Sequence, residues 1–415
     1  MLGGTLWMLP HGRMHDFGTV PWFLVGAGLM LLGFFVALRF PPRAAWMFWG
    51  VALGTRAVLL FQTPGDDIYR YVWEGRLLLG GWNPYLHAPD ASVLMPLRDE
   101  LWSSVQHRSF TAIYPPLAEW LMAGLARIWA TPMFFKGAFA VADVAVLWLL
   151  DRRFGRPRSL VYAWNPLVIY SFAGGGHYDS FFLLALVLGW FAWRDGHRLQ
   201  AVFHLGVAVA LKWMALPLLA WAGWQMLREV RRPGGLRAVG FAAAIGALPL
   251  VLSFLAVGLW TGEWTLQLFP ARFSQYARSA EFLPGIVGFF WESSRFHNQW
   301  FIIPLAVGWL VVILGGRDIT RTAEWLFFLA LVLTPMLHAW YFTWLMPLAV
   351  ATRNRGSLAV TASSFVYFML YHHVEAPQGA WKLSPWETGF LWLPLVIGFV
   401  YSAWRRQEPG DRAER

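Results

Sequence analysis

Apolar residues in this chain come in long blocks, and polar residues gather in the gaps between them. Runs of about 17–25 apolar residues recur, which is transmembrane length. Spans are predicted near 20–39, 44–61, 134–150, 159–174, 180–194, 199–212, 214–227, 238–260, 300–315, 322–338, 340–352, 357–372 and 389–404. Several are short, and these are expected to tilt or to run on into loops. The pattern describes an all-α polytopic membrane protein with about thirteen transmembrane helices. Residues 1–415 read as a single transmembrane domain, with no soluble domain, low-complexity tract or internal repeat.

The gaps are uneven in charge. "RFPPR" (39–43), "DRRFGRPR" (151–158), "RDGHR" (194–198), "LREVRRPGGLR" (227–237), "GGRDITR" (315–321), "RNR" (353–355) and "RRQEPGDRAER" (405–415) are basic. The positive-inside bias places all of them in the cytoplasm. One arrangement satisfies every one. Segment 62–133 lies wholly outside, and the run "PPLAEWLMAGLARIWA" (115–130) rests in the interface without crossing. The outer side then also receives 173–180, the end of "ALKWMALP" (210–217), a second outer loop at 261–299, "PMLHAWYFTW" (335–344) and 373–388.

Composition agrees. The chain is 58% hydrophobic and 13% charged, with a mean hydropathy of +0.47. Soluble domains carry about a quarter charged residues, so an ordinary soluble enzyme is excluded. The net charge of +10 sits in the short loops, which removes nucleic acid as the partner. Without cysteine there are no disulfides or thiolate metal sites. The N-terminus lacks a signal-peptide pattern, and the first apolar run is long enough to remain as a span.

Isolated ionisable residues at span ends collect on the outer face. Such groups are costly at membrane depth and usually functional. Asp66 and Asp67 follow the break Thr63-Pro64-Gly65. A carboxylate there can take a proton from a hydroxyl. Asp67, Arg70 and Glu74 then fall on one helical face. The plainer reading is a capped interfacial helix carrying a surface ion pair. "GGWNPY" (80–85) and "YPP" (114–116) read as turns. His177 and Asp179 stand in "GGGHYDS", either as a polar site or as a tight turn with a capping acid. Lys212 at an outer span end opposes the positive-inside bias and favours an anionic partner over snorkelling. His338 and Tyr341 share a short turn. Arg272, Arg278 and Arg295 lie in the second outer loop. Asp66 and Asp67 with Glu74 are able to hold one divalent cation through oxygen ligands, and nothing demands one. No nucleotide-binding motif or serine elbow occurs.

"GDDIYRYVWEGRLLLGGWNPY", "IYPPLAEW", "NPLVIYSFAGGGHYDS", "ALKWMALPLL" and "MLHAWYFTWLMPL" together resemble the bacterial family-87 glycosyltransferases and the related polyprenol-phosphomannose-dependent mannosyltransferases, within the GT-C superfamily. The resemblance runs in order from about residue 60 to 350. It implies a GT-C-like fold, a polyprenyl-phosphate sugar as donor and a hydroxyl of a glycan or glycolipid as acceptor. It implies a site on the periplasmic side of a bacterial inner membrane and an essential acid in the first outer loop. Carried over by position, that acid is Asp67, three before Arg70-Tyr71, with Asp66 beside it. Arg70, Lys212, His338 and Tyr341 are implied to hold donor phosphate or sugar. Ala339 stands where relatives often carry Pro. Tyr71, Glu74, Asn83 and Tyr85 complete the cavity candidates in the first part of the loop, and Tyr114, His177, Asp179 and Arg272 those beyond it. Mannose is the expected sugar. Two rivals stand beside this reading: a lipid-sugar flippase or transporter, which should place its polar groups near mid-membrane, and an O-antigen polymerase or ligase, which uses diphosphate-linked glycans.

Overall fold

Helices follow the apolar blocks. The computed structural model describes residues 1–16, 18–230, 235–265, 275–375 and 379–405, and no strand occurs among them. Among the described residues four helices are long and apolar enough to cross a membrane: Thr19–Arg39, Pro132–Phe154, Gly235–Thr261 and Asn298–Gly315. On the last two many apolar side chains face outward, Phe241, Leu252 and Leu259 on one and Ile303 and Val311 on the other. Such surface is stable only against lipid or another apolar body. The protein is an all-helical membrane protein. The other blocks hold shorter or broken helices, among them Ala45–Leu59, Asp179–Arg194, Arg198–Leu211, Ile319–Leu333 and Pro385–Arg405.

The block at 159–174 shows why a block breaks. Pro166 has no N–H to continue the Arg156–Ala163 helix. Asn165 restarts the chain as an N-cap, its Oδ1 accepting from the backbone N–H of Leu167 at 3.0 Å and of Val168 at 3.3 Å. A widened π-type turn, Tyr170–Gly174, follows and delivers the glycine run to the end of the bundle.

Charges inside the bundle are paired. Arg56, on Ala45–Leu59, meets Asp143, on Pro132–Phe154, at 2.6 Å from Nε to Oδ2. Arg56 also donates to the carbonyls of Ala52 and Ala163, so one guanidinium ties three helical segments together. Lys136 donates to the carbonyls of Leu59 and Gln62. It thereby caps the end of Ala45–Leu59 and fixes where the following loop begins.

The helix Pro116–Trp129 lies along Asp67–Leu79. Gly75 makes that approach possible, because a Cβ there would come within 2.4 Å of the Met122 carbonyl oxygen. Trp120 anchors the pair to Gly235–Thr261 by donating to Ser253 O at 3.1 Å.

Breaking a buried ion pair from one side leaves an uncompensated charge. Arg56→Met should therefore destabilise the protein by about 3–5 kcal/mol. The double variant Arg56→Met/Asp143→Leu should recover most of the loss. Thermal unfolding in detergent, followed by size-exclusion chromatography, measures both.

Candidate active site

The site begins where Thr63-Pro64-Gly65 ends the first ascent of the chain. The Gly65 N–H donates to Gly175 O at 2.9 Å, drawing the glycine run of 174–176 against the acidic turn. Gly176 has φ +76°, and a Cβ there would collide with Ile68 Cδ1 at 2.7 Å and Lys136 Cγ at 2.9 Å. Only glycine fits that position, and its turn sets His177 beside Asp67.

Asp67 is the first residue of the Asp67–Leu79 helix, where the positive end of the helix favours an anion. Its Oδ2 accepts from the Tyr71 hydroxyl at 3.3 Å and lies 3.4 Å from His177 Nδ1. Oδ1 has no partner among the described residues. The side chain is 35% exposed and lines a cavity. Burial alone would raise its proton affinity. The close His177 ring at 3.4 Å and its charge, with the more distant His338 and Lys212, outweigh this and hold the carboxyl down at about 2. Asp67 is therefore ionised at neutral pH, with one oxygen tied back and one free.

His177 is itself clamped. Its ring stacks on Trp340 with centroids 3.6 Å apart, and Trp340 stacks on His338 at 4.4 Å. His338 Nδ1 is 2.6 Å from the Tyr367 hydroxyl. Lys212 follows the end of Arg198–Leu211, and its Nζ donates to Asp179 Oδ1 at 2.6 Å. Trp344 Nε1 donates to the same oxygen at 2.7 Å. The rings of Tyr341, Trp344 and Tyr178 surround the ammonium at 4.7, 5.1 and 5.3 Å, an aromatic cage that favours a cation.

Asp67, Tyr71, His177, Lys212, His338, Trp340, Tyr341 and Tyr367 line one cavity of about 1100 Å³. Eight of the chain's twelve tyrosines, among them Tyr71, Tyr114, Tyr170, Tyr341 and Tyr367, contribute to its wall. Each offers a flat apolar face and a hydroxyl, a pairing that suits a polyhydroxylated ring.

Of the residues predicted from sequence, Asp66, Asp67, Arg70, Tyr71, Tyr114, His177, Lys212, His338 and Tyr341 all reach this cavity. Five others need correction or fall elsewhere. Asn83 and Tyr85 do not line it. Asn83 ties its loop to Glu263, and Tyr85 stands behind Tyr114, donating to its carbonyl at 2.6 Å. Asp179 lies behind Lys212 and is fully buried. Glu74 is buried against Arg70, away from the cavity. Arg272 lies outside the described residues. Arg70 touches the cavity, but its guanidinium is bound to Glu74 at 2.8 Å and to the carbonyls of His107, Phe110 and Thr111 at 3.0, 2.7 and 2.8 Å. It braces the loop and is not free for a phosphate. Nor do Asp66, Asp67 and Glu74 converge as ligands. Asp66 pairs with His15 at 3.0 Å, and no group of three metal-binding side chains gathers among the described residues.

Sequence reasoning passed over Trp340, Tyr367 and Glu119. Trp340 lies inside the "HAWYFTW" turn two residues after His338, and its stack on the distant His177 is set by the fold rather than by local spacing. Glu119 is the acid of "YPPLAEW", fully buried beside Glu74. With both ionised, Glu74 Oε2 and both Glu119 oxygens would be buried without a donor. Burial, then the Glu74 charge, pushes the Glu119 carboxyl well up. One proton on Glu119, shared with Glu74, serves two of these three oxygens and leaves a single negative charge facing Arg70.

An all-helical membrane protein with an ionised carboxylate in a tyrosine-lined cavity has the build of a membrane glycosyltransferase. A family profile described as "Alpha-(1->6)-mannopyranosyltransferase, N-terminal domain" matches residues 7–228, over half of the chain. The chain belongs to this family and is a membrane mannosyltransferase. The Alpha-(1->6)-mannopyranosyltransferase A of Mycobacterium tuberculosis is 23% identical over 421 residues, covering 87% of this chain and 76% of that protein. No solved structure matches.

The Glu119 proton has a consequence for stability. Its folded proton affinity exceeds the unfolded one, so the folded state holds the extra proton and stability falls as pH rises above the ordinary glutamate pKa of about 4.3. Glu119→Gln mimics the protonated form. Its melting temperature at pH 7 should equal or exceed that of the wild type, with a flatter pH dependence between about 4.5 and 7. A clear loss of stability at pH 7 would contradict the shared proton.

Proposed function

We propose that this mannosyltransferase moves mannose from a polyprenyl-phosphate donor to a hydroxyl of a glycan or glycolipid acceptor, on the periplasmic side of the inner membrane. The observation that carries this reading is the meeting of Asp67, His177, Lys212, His338 and Tyr341 in one tyrosine-lined cavity. The outward side is supported by the basic loops at the opposite helix ends. The large loop at 62–133 then forms the outer wall of the site. A monophosphate lipid donor is supported by the sequence resemblance and by a single lysine held in an aromatic cage. The family's own description suggests an α-(1→6) linkage.

In the proposed step the acceptor oxygen attacks the anomeric carbon, and the bond from that carbon to the phosphate oxygen breaks. The acceptor proton passes to Asp67 Oδ1, and polyprenyl phosphate departs with the bonding electrons. His177 and Tyr71 hold Oδ2, so the free oxygen is aimed into the cavity. A carboxylate this weakly basic is always in its accepting form. The hydroxyl becomes acidic as its new C–O bond forms, so proton transfer comes late. Lys212 offsets the charge that grows on the phosphate, in a site where water is scarce and such offsets count for more. A single displacement inverts the anomeric centre, which turns a β-linked donor into an α-linked product.

The direct test is purified protein incubated with a panel of labelled polyprenyl-linked sugars and membrane lipid extract, with products read by mass spectrometry. The mannosyl monophosphate should be used and the diphosphate should not. Asp67→Asn should lower kcat by about 10²–10⁴ with little change in donor KM. Undiminished transfer would remove Asp67 as base and move the role to Asp66. Because Asp67 loses its charge only as pH falls through about 2, no acid limb with a midpoint of about 4–5 should appear in the wild-type profile.

Lys212→Ala should raise the donor KM by about tenfold and also destabilise the protein, since Asp179 is left buried and unpaired. Adding Asp179→Asn should restore thermal stability but not the KM. If both recover together, Lys212 serves only the fold.

A further inference from the structure

Four Lys or Arg side chains line the cavity among the described residues: Arg13, Arg70, Lys212 and Arg278. Three are already matched. Arg70 faces Glu74 at 2.8 Å, Lys212 faces Asp179 at 2.6 Å, and Arg278 faces Glu281 at 2.9 Å. Arg13 is exposed and its side chain makes no ion pair or hydrogen bond with a described residue.

Arg13 reaches the cavity on the segment Gly12–Asp16, ahead of the Thr19–Arg39 helix. That segment is fixed to the same turn that carries Asp67. The Gln62 side chain donates to Met8 O at 2.9 Å. Gly12 lies so close to the turn that a Cβ would come within 2.5 Å of Gln62 Cγ and 3.0 Å of Thr63 N. His15 Nε2 is 3.0 Å from Asp66 Oδ2. The Asp16 N–H closes the segment by donating to Arg13 O at 3.1 Å.

An anion entering this cavity meets Asp16, Asp66 and Asp67, which repel it, and three cations each already facing a carboxylate. A cation with no carboxylate against it lowers the cost of bringing a phosphate in further than the paired Lys212 can alone. A guanidinium is also the side chain best shaped for it, since its planar N–H fork matches phosphate oxygens in pairs. We propose that Arg13 is a phosphate-binding residue, contributed by the segment before the first long helix, that holds the phosphate of a polyprenyl-linked ligand in this cavity. The assignment rests on the lipid-phosphate donor reading above.

The ligand chemistry is a lipid phosphate, and an ordinary phospholipid headgroup would offer similar oxygens. The test separates the two. Full-length protein in phosphatidylcholine nanodiscs is titrated with polyprenyl monophosphate, and the Kd is measured for wild type, Arg13→Ala and Arg13→Lys. Loss of a charged contact should weaken binding by about tenfold or more for Arg13→Ala, with Arg13→Lys falling between. Repeating the titration in phosphatidylglycerol nanodiscs should leave the wild-type Kd nearly unchanged. Equal affinity of wild type and Arg13→Ala would overturn the role of Arg13 and leave the donor reading standing. Strong competition by phosphatidylglycerol would overturn it in favour of a headgroup contact. Failure of the wild type to bind polyprenyl phosphate would remove the donor reading and this proposal together.

Discussion

Taking an arginine out of water costs several kcal/mol unless its N–H groups find acceptors and its charge finds a partner. Arg70 meets that condition by drawing the carbonyls of Gln106, His107, Phe110 and Thr111 around one guanidinium, with Glu74 behind it. A stretch without regular structure is thereby pinned to the first helix of the loop, three residues beyond Asp67. The rest of the site hangs on that pin. Tyr114 follows directly after the pinned stretch and packs edge-on against Tyr71 and Tyr178, and Tyr71 in turn touches Asp67. Glu119 shares its proton behind Glu74. The acid, its tyrosine and the cavity wall are positioned by one buried cation whose own partners exclude it from binding substrate.

The same logic recurs at each depth of the bundle. Arg56 and Asp143 join three helical segments, and Lys212 and Asp179 join two. Each pair is electrically closed and held by further hydrogen bonds, which is the state in which a buried charge does least harm. What distinguishes the cavity is that Asp67 keeps Oδ1, and Arg13 its whole side chain, without an ion pair or hydrogen bond among the described residues, while Lys212 keeps a face toward the same space. A catalytic pocket in an apolar protein needs such open groups, and it can hold them only where the surrounding charges are already answered.

The sequence made the broad architecture legible because the bilayer imposes a simple rule: a helix that faces lipid must be apolar nearly all round. Every predicted block holds helix. The breaks were less legible. Asn165-Pro166 announces one, but the π-type turn after it depends on packing against Phe23, Phe365 and Phe368 around Tyr170, which no local pattern encodes. At the site, the residues that reach the cavity were readable as polar groups stranded at span ends. Sequence could not say which of them were already bound. Arg70 and Lys212 look alike as isolated cations, yet one is enclosed by carbonyls and the other keeps a face to the cavity. Arg13 and His15 were missed because they precede the first long apolar block, where a polar run reads as a terminus.

The stack of His177, Trp340 and His338 shows how the two halves of the chain depend on each other. Asp67, His177 and Lys212 all fall within the matched region at 7–228, whereas Trp340, His338 and Tyr341 come from beyond it. A histidine beside a carboxylate is free to rotate unless its ring is held, and a rotated ring would release Oδ2 and let the carboxylate turn. Trp340 prevents this by lying flat on His177 at 3.6 Å, and is itself held flat against His338 at 4.4 Å. The orientation of the free Asp67 oxygen is therefore set by a turn more than 270 residues later in the chain. The early half brings the acid and its positive partners, but the direction in which that acid faces is decided by the late half.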